Sequence, residues 1–262
     1  MNCRICESRR LKIVTKSKNY RILECKTCRI AFTDPAPNLP DYQNMDFHSK
    51  ESDSNIDKLV LIEDLPYDWR ILIKMQIDLV LTQFVKDASI LEIGCGEGIL
   101  LGQLRKYGFS ALEGFEPSYT AAKRAQKRGL SIHNAYFDPL IINRKYDLVV
   151  MSHVLEHIEN PIEFLEQINS ILNPGGGLLL TQTNYRGLIP KIQKDSWYAW
   201  VPDQHFWHFT PKSLETIFNR TGYLISSVNY SSLVHPSDIL YKAAKLITSY
   251  QDQFILFAKK NY

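Results

Sequence analysis

Four cysteines near the start of the chain have the spacing of a metal site. They form two C-x-x-C pairs separated by eighteen residues, namely Cys3, Cys6, Cys25 and Cys28. Each pair places two sulfurs on one tight turn, and two such turns complete the tetrahedron that zinc prefers in structural sites. The pattern therefore predicts a structural Zn2+ bound by four thiolates, with disulfides as the alternative. A segment this short buries little core of its own, so we expect the metal to hold it together.

Two histidines and a carboxylate follow a continuous apolar run over residues 146–152. The run ends at Ser152, and the next residues include His153, Glu156 and His157. Histidine gains and loses a proton near neutral pH, so either one can serve as a base. The two are four residues apart, and a helical turn would place them on one face. With Glu156 they could instead bind a divalent metal, or they could cap and pack, and the sequence leaves these alternatives open.

An aromatic segment carries two further histidines. Residues 197–209 read WYAWVPDQHFWHF, inside a predicted insertion over about 185–210. Loops of this kind set substrate choice, so the segment predicts a lid or an acceptor pocket, and a small satellite core is equally consistent. We favour His205 as the polar contact, because the His208-Phe-Thr-Pro sequence is more typical of the entry to the next helix.

Three closely spaced glycines follow a short apolar strand over residues 90–93. The sequence continues Gly94-Cys95-Gly96-Glu97-Gly98, and the next apolar run ends at Glu116, twenty-two residues after Gly94. Glycine allows a sharp turn and a close approach to a ligand. A helix beginning after the loop offers unpaired N–H groups, and an acidic residue at the next strand tip can accept hydrogen bonds from a ribose. A strand-turn-helix without any ligand is the alternative.

The order E-x-G-x-G-x-G from Glu92 to Gly98 resembles the first motif of the class I S-adenosylmethionine-dependent methyltransferases. It is tighter than the G-x-G-x-x-G of dinucleotide enzymes, and no GK[ST] follows as in a phosphate loop. The resemblance implies that S-adenosyl-L-methionine lies against the glycines with its ribose on Glu116. The cofactor-binding residues that we expect are Glu92, Gly94, Cys95, Gly96, Gly98, Glu116, Pro117, Tyr136 and Ser152. It also implies methyl transfer beyond the fourth strand, with His153, His157 and His205 as catalytic candidates.

Elements of the right type and order surround these residues. Apolar runs predict strands over 90–93, 111–115, 130–135, 146–152, 178–183, 224–230 and 254–258. Helices are predicted over 118–128 with Ser118 as N-cap, over 161–172, over 211–220, around 239–250, and between Pro66 and Lys86. Alternating strands and helices indicate an α/β, Rossmann-like, doubly wound sheet of seven strands. We predict a zinc-ribbon-like segment at 1–34, a Pro-rich linker at 35–57 and a class I methyltransferase domain at 58–262.

Charge and apolar content limit the partners. The net charge is only +3, but residues 1–30 carry nine Lys or Arg against two Glu. That excess could offset a zinc tetrathiolate, face an anionic substrate such as a nucleotide-linked sugar or RNA, or be a solvated face. No apolar run approaches the length of a membrane span and no signal peptide is visible, so we expect no membrane insertion. Thiols arranged for metal favour a cytoplasmic protein.

The combined motifs narrow the acceptor. The cysteine-rich front, the H-V-L-E-H-I sequence and the W…P-x-Q-H-F-x-H-F insertion resemble bacterial methyltransferases of surface-polysaccharide and modified-sugar pathways. Relatives that methylate sugar carbons carry a further carboxyl-terminal domain, so we expect an oxygen of a sugar, a sugar nucleotide or another small metabolite. The rival is an RNA base methyltransferase with the basic ribbon as its RNA contact. The chain lacks the N-P-P-Y-like and Pro-Cys motifs of such enzymes.

Overall fold

Strands and helices alternate along most of the chain in the computed structural model, which describes residues 1–17, 19–44, 62, 65–231 and 251–261. The strands are β1 (Leu11–Ser17), β2 (Tyr20–Cys25), β3 (Ala31–Asp34), β4 (Ile90–Ile93), β5 (Leu112–Phe115), β6 (Ser131–His133), β7 (Tyr146–Ser152), β8 (Leu172–Thr183), β9 (Trp207–His208), β10 (Tyr223–Ser231) and β11 (Gln253–Lys260). The helices are α1 (Tyr67–Gln83), α2 (Ile99–Lys106), α3 (Tyr119–Lys127), α4 (Pro161–Ile171), α5 (Leu188–Gln193) and α6 (Pro211–Thr221).

Seven strands form the larger sheet, in the order β10-β11-β8-β7-β4-β5-β6. β4 pairs in parallel with β5 and with β7, and β5 pairs in parallel with β6. The β4 strand and most of β7 are buried, as expected of parallel strands covered on both faces. The register places Ile93 opposite Phe115, so the next residues of the two strands, Gly94 and Glu116, follow neighbouring strand ends. The predicted seven-stranded, Rossmann-like α/β fold is confirmed.

Four strands form a smaller antiparallel sheet in the order β1-β2-β3-β9. The first three strands come from the cysteine-rich segment, whereas β9 comes from the aromatic segment some 170 residues later, with Ala31 opposite His208. The described residues of the chain cluster into two compact units. The first comprises Met1–Leu39, His153–Glu166 and Thr181–Leu256, and the second comprises Pro40–Ser152, Gln167–Leu180 and Phe257–Tyr262. The predicted division at residues 34 and 57 stays a prediction.

The first unit has an apolar core to which the aromatic segment contributes, as in the satellite-core alternative. The buried residues of this core come from the cysteine-rich segment and from the predicted insertion over about 185–210: Ile22, Ala31, Tyr185, Ile189, Trp197, Ala199 and Trp200. Trp197 and Trp200 meet edge to face, with ring centroids 4.9 Å apart. Pairing with a distant aromatic segment therefore supplies the hydrophobic burial that the cysteine-rich segment lacks alone. This apolar burial is a source of stability for the cysteine-rich segment that does not depend on a metal.

Most predicted elements appear within a few residues of the expected bounds. Ser118 caps α3 by accepting from the Ala121 N–H, and Gly222 ends α6 in the left-handed conformation. The strand predicted over 178–183 begins earlier than expected, because β8 starts at Leu172 and continues through Pro174 and the glycines that follow it. Pro174 and Gly175 are exposed there, so the N–H missing from proline is not lost from a buried ladder. The helix predicted around 239–250 lies outside the described residues, as does most of the predicted linker.

Among the described residues, none of the helices combines the length and the apolar character needed to span a bilayer.

Candidate functional site

The glycine loop of the second unit is tied to the end of β5. The N–H groups of Gly94 and Cys95 both donate to the Phe115 carbonyl, at 2.8 and 3.0 Å. Gly94, Gly96 and Gly98 have φ values of 70°, 53° and 72°, in the left-handed region that other residues rarely adopt. The loop therefore folds as it does because glycine occupies these three positions, and its backbone turns directly into α2.

Two of the glycines have different surroundings. A Cβ on Gly98 would lie 2.3 Å from Leu130 Cδ1 and 3.2 Å from the Ala125 Cβ. The absence of a side chain at Gly98 therefore lets the start of α2 pack closely against α3 and Leu130. A Cβ on Gly96 would meet nothing within 4 Å. Gly96 therefore borders open space, where a ligand can approach the backbone.

Glu116 connects the tip of β5 to the glycine loop. Its carboxylate accepts from the Gly96 N–H through Oε2 and from the Ser118 N–H through Oε1, both at 2.8 Å, and the residue is 7% exposed. A carboxylate has about four acceptor positions, so these two bonds still leave capacity for hydroxyl donors. The predicted acidic side chain is thus beside the loop.

Glu92 is buried as the penultimate residue of β4, two residues before Gly94. Burial and the nearby negative charge of Glu116 raise its pKa to about 8. Its Oε2 atom has no hydrogen-bond partner in the described structure. A buried polar atom without a partner is costly, and it suits a ligand that brings its own donor, such as an amino group.

The remaining predicted cofactor residues have varied environments. Cys95 is buried, and its Sγ atom packs so closely on Gly114 that a Cβ at Gly114 would lie only 2.7 Å from it. Burial raises the pKa of the Cys95 thiol well above its usual value. The Pro117 carbonyl accepts from Asn134 Nδ2 at 3.0 Å. Ser152 Oγ accepts from Gln76 Nε2 at 2.6 Å, whereas Tyr136 is 50% exposed. Cys95 therefore can offer a ligand only its backbone, and the Tyr136 ring is available for stacking.

The first unit brings the three predicted histidines around one buried carboxylate. His153 Nδ1 lies 3.4 Å from Glu156 Oε1, and the rings of His157 and His205 are 4.7 Å apart, edge to face. Glu156 is 3% exposed, and its Oε2 accepts from Gln182 Nε2 at 2.6 Å. Glu156, His157 and His205 each place one possible ligand atom within 4.8 Å of the others. The cluster can therefore accept and donate protons, or it can bind a divalent cation.

Burial and neighbouring charges shift the pKa values of Glu156 and His205 in opposite directions, and charge prevails at Glu156 whereas burial prevails at His205. Burial alone would raise the pKa of Glu156, but the hydrogen bond from His153 and the nearby charges of His153, His157 and His205 outweigh it and lower that pKa. Burial lowers the pKa of His205 to about 4, although Glu156 opposes the shift. At neutral pH the cluster therefore contains an ionised carboxylate beside a neutral His205.

The backbone around His153 differs from the helical turn that the sequence predicts. His153 has a φ of 54° and precedes a short 3-10 helix over Leu155–His157, so His153 and His157 are not on one helical face. Such a φ is rare outside glycine and is often found where function constrains the chain. The His157 Nδ1 atom lies 3.1 Å from the Gln204 carbonyl. Because a carbonyl only accepts, Nδ1 carries the proton, and a neutral His157 has its lone pair on Nε2.

Sequence reasoning missed several residues that organise this cluster. Gln182, at the end of β8, holds Glu156, and Thr33 of β3 contacts both His205 and His208. Neither residue belongs to a recognisable sequence motif, because the histidine-cluster residue that each one contacts is distant from it in sequence. A polar residue near the end of an otherwise apolar strand, as in LLLTQT, was the one available signal for Gln182.

The four predicted metal ligands lie together in the first unit. Cys3 Sγ and Cys28 Sγ are 3.5 Å apart, as are Cys6 Sγ and Cys25 Sγ, and all four sulfurs lie within 4.8 Å of one another. Zinc–sulfur bonds of about 2.3 Å in a tetrahedron require sulfurs roughly 3.8 Å apart, so the cluster has the dimensions of a tetrathiolate site. The hydrogen bond between Cys3 and Cys28 lowers the pKa of the Cys3 thiol, which favours a thiolate at that position.

Curated relatives match the central part of the chain. A ubiquinone biosynthesis O-methyltransferase of Rattus norvegicus, a mitochondrial protein, is 29% identical over 163 residues, covering 53% of this chain and 45% of the relative. The ubiquinone biosynthesis O-methyltransferase of Caulobacter vibrioides is 32% identical over 130 residues, covering 45% of this chain and 52% of the relative. The chain thus spans about half the length of these curated relatives.

Solved structures share the fold. Magnesium protoporphyrin IX methyltransferase of Synechocystis PCC 6803, solved with bound SAH, superimposes with a TM-score of 0.56 at 17% identity. The match covers 79% of this chain and 92% of that one. The model of a family described as a methyltransferase domain matches residues 63–228, well over half of the chain. The chain therefore belongs to this family of methyltransferase domains.

Proposed function

We propose that the protein is an S-adenosylmethionine-dependent methyltransferase that acts on an oxygen of a small molecule. The observation that supports this most is the Gly94–Gly98 loop, with its left-handed glycines and the Glu116 carboxylate bonded to it from the neighbouring strand tip. The family of the chain and the names of its relatives support a methyl-transfer reaction at oxygen.

The second unit contains every residue that we assign to the cofactor. The backbone of Gly94, Gly96 and Gly98 would lie against the methionine moiety, and the orphaned Glu92 Oε2 would accept from its amino group. Glu116 would accept from the ribose hydroxyls, and the exposed Tyr136 ring would stack on adenine. When bound, the cofactor supplies a methyl group on a positively charged sulfur, and this sulfur leaves as a neutral thioether when an acceptor lone pair attacks the methyl carbon.

The acceptor chemistry is assigned to the histidine cluster. His153 follows Ser152, the last residue of β7, and ligands of open α/β sheets bind beyond the carboxyl ends of strands. Glu156 would orient the His153 ring through Nδ1, and Nε2 would remove the proton of an acceptor hydroxyl during attack. The ionised Glu156 then stabilises the protonated ring. His157 and His205 complete the polar lining. The alternative is a cation site formed by Glu156, His157 and His205.

The acceptor class has two candidates within small-molecule oxygens. The sequence resemblance to polysaccharide-pathway enzymes favours a hydroxyl of a sugar or sugar nucleotide. The relatives named for ubiquinone biosynthesis favour a phenolic hydroxyl. An RNA base acceptor is the remaining rival, supported by the nine basic residues within residues 1–30.

We propose that Cys3, Cys6, Cys25 and Cys28 hold a structural Zn2+. Their spacing, their sulfur–sulfur distances and their burial support this proposal. Bound zinc would supply no reactive group, because all four ligand positions are thiolates. Its contribution would be to fix the two knuckles that carry β1, β2 and β3.

The decisive experiment measures binding and transfer separately. Calorimetry with S-adenosylhomocysteine on zinc-replete protein should give saturable binding, and its absence would overturn the proposed function. Radiolabelled methyl transfer is then measured on nucleotide sugars, on dihydroxybenzoate-type phenols and on total RNA, with and without added Mg2+ and EDTA. Loss of activity in EDTA with zinc content intact would favour the cation site over the histidine base. RNA retention with a steep salt dependence would favour the RNA rival.

A further inference from the structure

Thr33 of β3 makes three polar contacts with one segment, residues 205–208, of the first unit. Its N–H donates to the Phe206 carbonyl at 3.0 Å, and its Oγ1 donates to the His205 carbonyl at 2.6 Å. The same Oγ1 lies 3.1 Å from His208 Nε2. A hydroxyl has one proton, and a carbonyl only accepts, so the proton goes to His205 and the His208 Nε2–H donates to Oγ1. Thr33 therefore fixes both the backbone of this segment and one histidine tautomer.

Arg4 connects the first cysteine knuckle to the same segment. It lies between Cys3 and Cys6 in sequence, and its Nη2 donates to the Thr33 carbonyl at 2.8 Å. The same nitrogen lies 3.5 Å from the Phe206 carbonyl, and the guanidinium centre is 4.8 Å from the centroid of the Trp207 ring. Although Arg4 is exposed as a residue, its charged group thus bridges β3 and β9.

The other side of this segment contacts the histidine cluster. The Phe206 N–H donates to the Glu156 carbonyl at 2.9 Å, and His157 Nδ1 donates to the Gln204 carbonyl. The His205 ring packs edge to face on His157. Residues 204–208 are therefore held by Thr33 and Arg4 on one side, and they contact the Glu156–His157 pair on the other.

We propose that Thr33 and Arg4 are positioning residues, through which the cysteine knuckle sets the geometry of the acceptor histidines. The inference rests on the proposed role of that cluster in acceptor binding. It gives the cysteine-rich segment a task within the proposed reaction. We assign neither residue a contact with the acceptor; both are proposed to act through residues 205–208, which they contact directly.

Two substitutions at Thr33 separate positioning from packing. Thr33→Val keeps the shape and removes the hydroxyl, whereas Thr33→Ser keeps the hydroxyl and removes a methyl group. If the hydroxyl positions the segment, Thr33→Val lowers kcat for the acceptor about tenfold with S-adenosylhomocysteine affinity unchanged, and Thr33→Ser stays within about twofold of the parent. If Thr33 acts only by packing, Thr33→Val keeps the kcat of the parent, and Thr33→Ser is the variant with the lower kcat.

Nitrogen-15 NMR of the histidine rings gives a readout independent of activity. The parent should show His208 with its proton on Nε2, and Thr33→Val should shift that signal or split it between tautomers. An unchanged His208 spectrum in Thr33→Val would overturn the proposal. If the parent fails to bind S-adenosylhomocysteine, the proposed function fails, while this spectrum still tests whether Thr33 holds the segment.

Arg4→Met tests the bridge from the cysteine knuckle, with the exposed Arg9→Met as the matched control. We expect Arg4→Met to raise KM for the acceptor about tenfold and to change the Trp fluorescence, with zinc content and S-adenosylhomocysteine affinity unchanged. Equal behaviour of the two variants would refute a role for Arg4. Loss of zinc in Arg4→Met alone would assign Arg4 to knuckle stability and would also count against positioning.

Discussion

At the scale of single residues, the Glu116 carboxylate has two tasks in the second unit. It accepts from two backbone amides of the loop region, and we assign it the ribose as well. The amide bonds orient the carboxylate before a ligand arrives, so little conformational entropy is lost when hydroxyl donors reach it. A charged acceptor held in this way contributes more to binding than a mobile surface carboxylate does.

Glu116→Ala should weaken S-adenosylhomocysteine binding by about 1–3 kcal/mol, the range of hydrogen bonds to a charged group. Calorimetry measures this, with the exposed Glu166→Ala as the control of matched chemistry. Glu116→Gln should lose less, because an amide oxygen still accepts while its NH2 group opposes one loop amide. Unchanged affinity in Glu116→Ala would refute the assignment to ribose.

His153→Asn should lower kcat for the acceptor by about a hundredfold, since general-base catalysis contributes on that scale, while cofactor affinity stays constant. Glu156→Gln should lower kcat as well, because the neutral amide no longer stabilises the protonated ring. His133→Asn removes a histidine of the second unit that is paired with Glu113, and it serves as the control. Full activity in His153→Asn would assign His153 to packing.

At the scale of elements, the loop between β4 and α2 contains two glycines with different requirements. Both have positive φ, but only Gly98 is also packed against α3 and Leu130, whereas Gly96 faces open space. The same substitution at the two positions should therefore have different consequences, one for folding and the other for ligand binding.

Gly98→Ala should lower the free energy of unfolding by roughly 2–4 kcal/mol, since strain at positive φ and overpacking both contribute. Gly96→Ala should cost only about 1–2 kcal/mol of strain, yet it should weaken S-adenosylhomocysteine binding more than tenfold, because its Cβ enters the ligand side of the loop. Urea denaturation and calorimetry on both variants measure the two effects. Equal stability losses with equal affinities would contradict this division.

At the scale of the whole molecule, buried neutral histidines couple stability to pH. His205 has an ordinary pKa of 6.5 when unfolded and about 4 when folded, and burial also lowers the pKa of His208 well below its usual value. Between pH 6.5 and about pH 4, the unfolded chain binds more protons at His205 than the folded chain does, so acidification favours unfolding. The lowered pKa of Glu156 acts the same way only below about pH 4.5.

The free energy of unfolding should therefore fall by about 2 kcal/mol between pH 7 and pH 5 from His205 alone. Urea denaturation at each pH measures it, with zinc content followed in parallel because thiolates also gain protons in acid. His205→Gln removes this titration, so its stability should depend less steeply on pH than that of the parent. Parallel slopes in the two proteins would place the pH dependence elsewhere.

The sequence alone determined the features that depend on local chemistry. Gly94, Gly96 and Gly98 are readable because few residues other than glycine tolerate these backbone angles, and β7 is readable because a strand buried on both faces is a continuous apolar run. The C-x-x-C pairs are readable because two thiols on one turn suit a metal. These features predicted the fold, and they support the proposed cofactor and the proposed metal ligands.

Only the tertiary structure decided how distant segments combine within the first unit. The pairing of Ala31 with His208, the capture of Glu156 by Gln182 and the contacts of Thr33 join positions that are up to about 180 residues apart. Nothing local in the sequence specifies such pairs, because their energy comes from burial and hydrogen bonds that form only when the chain is folded. The sequence therefore determined the loop to which we assign the methyl donor, whereas the arrangement of the histidines to which we assign the acceptor depended on the fold.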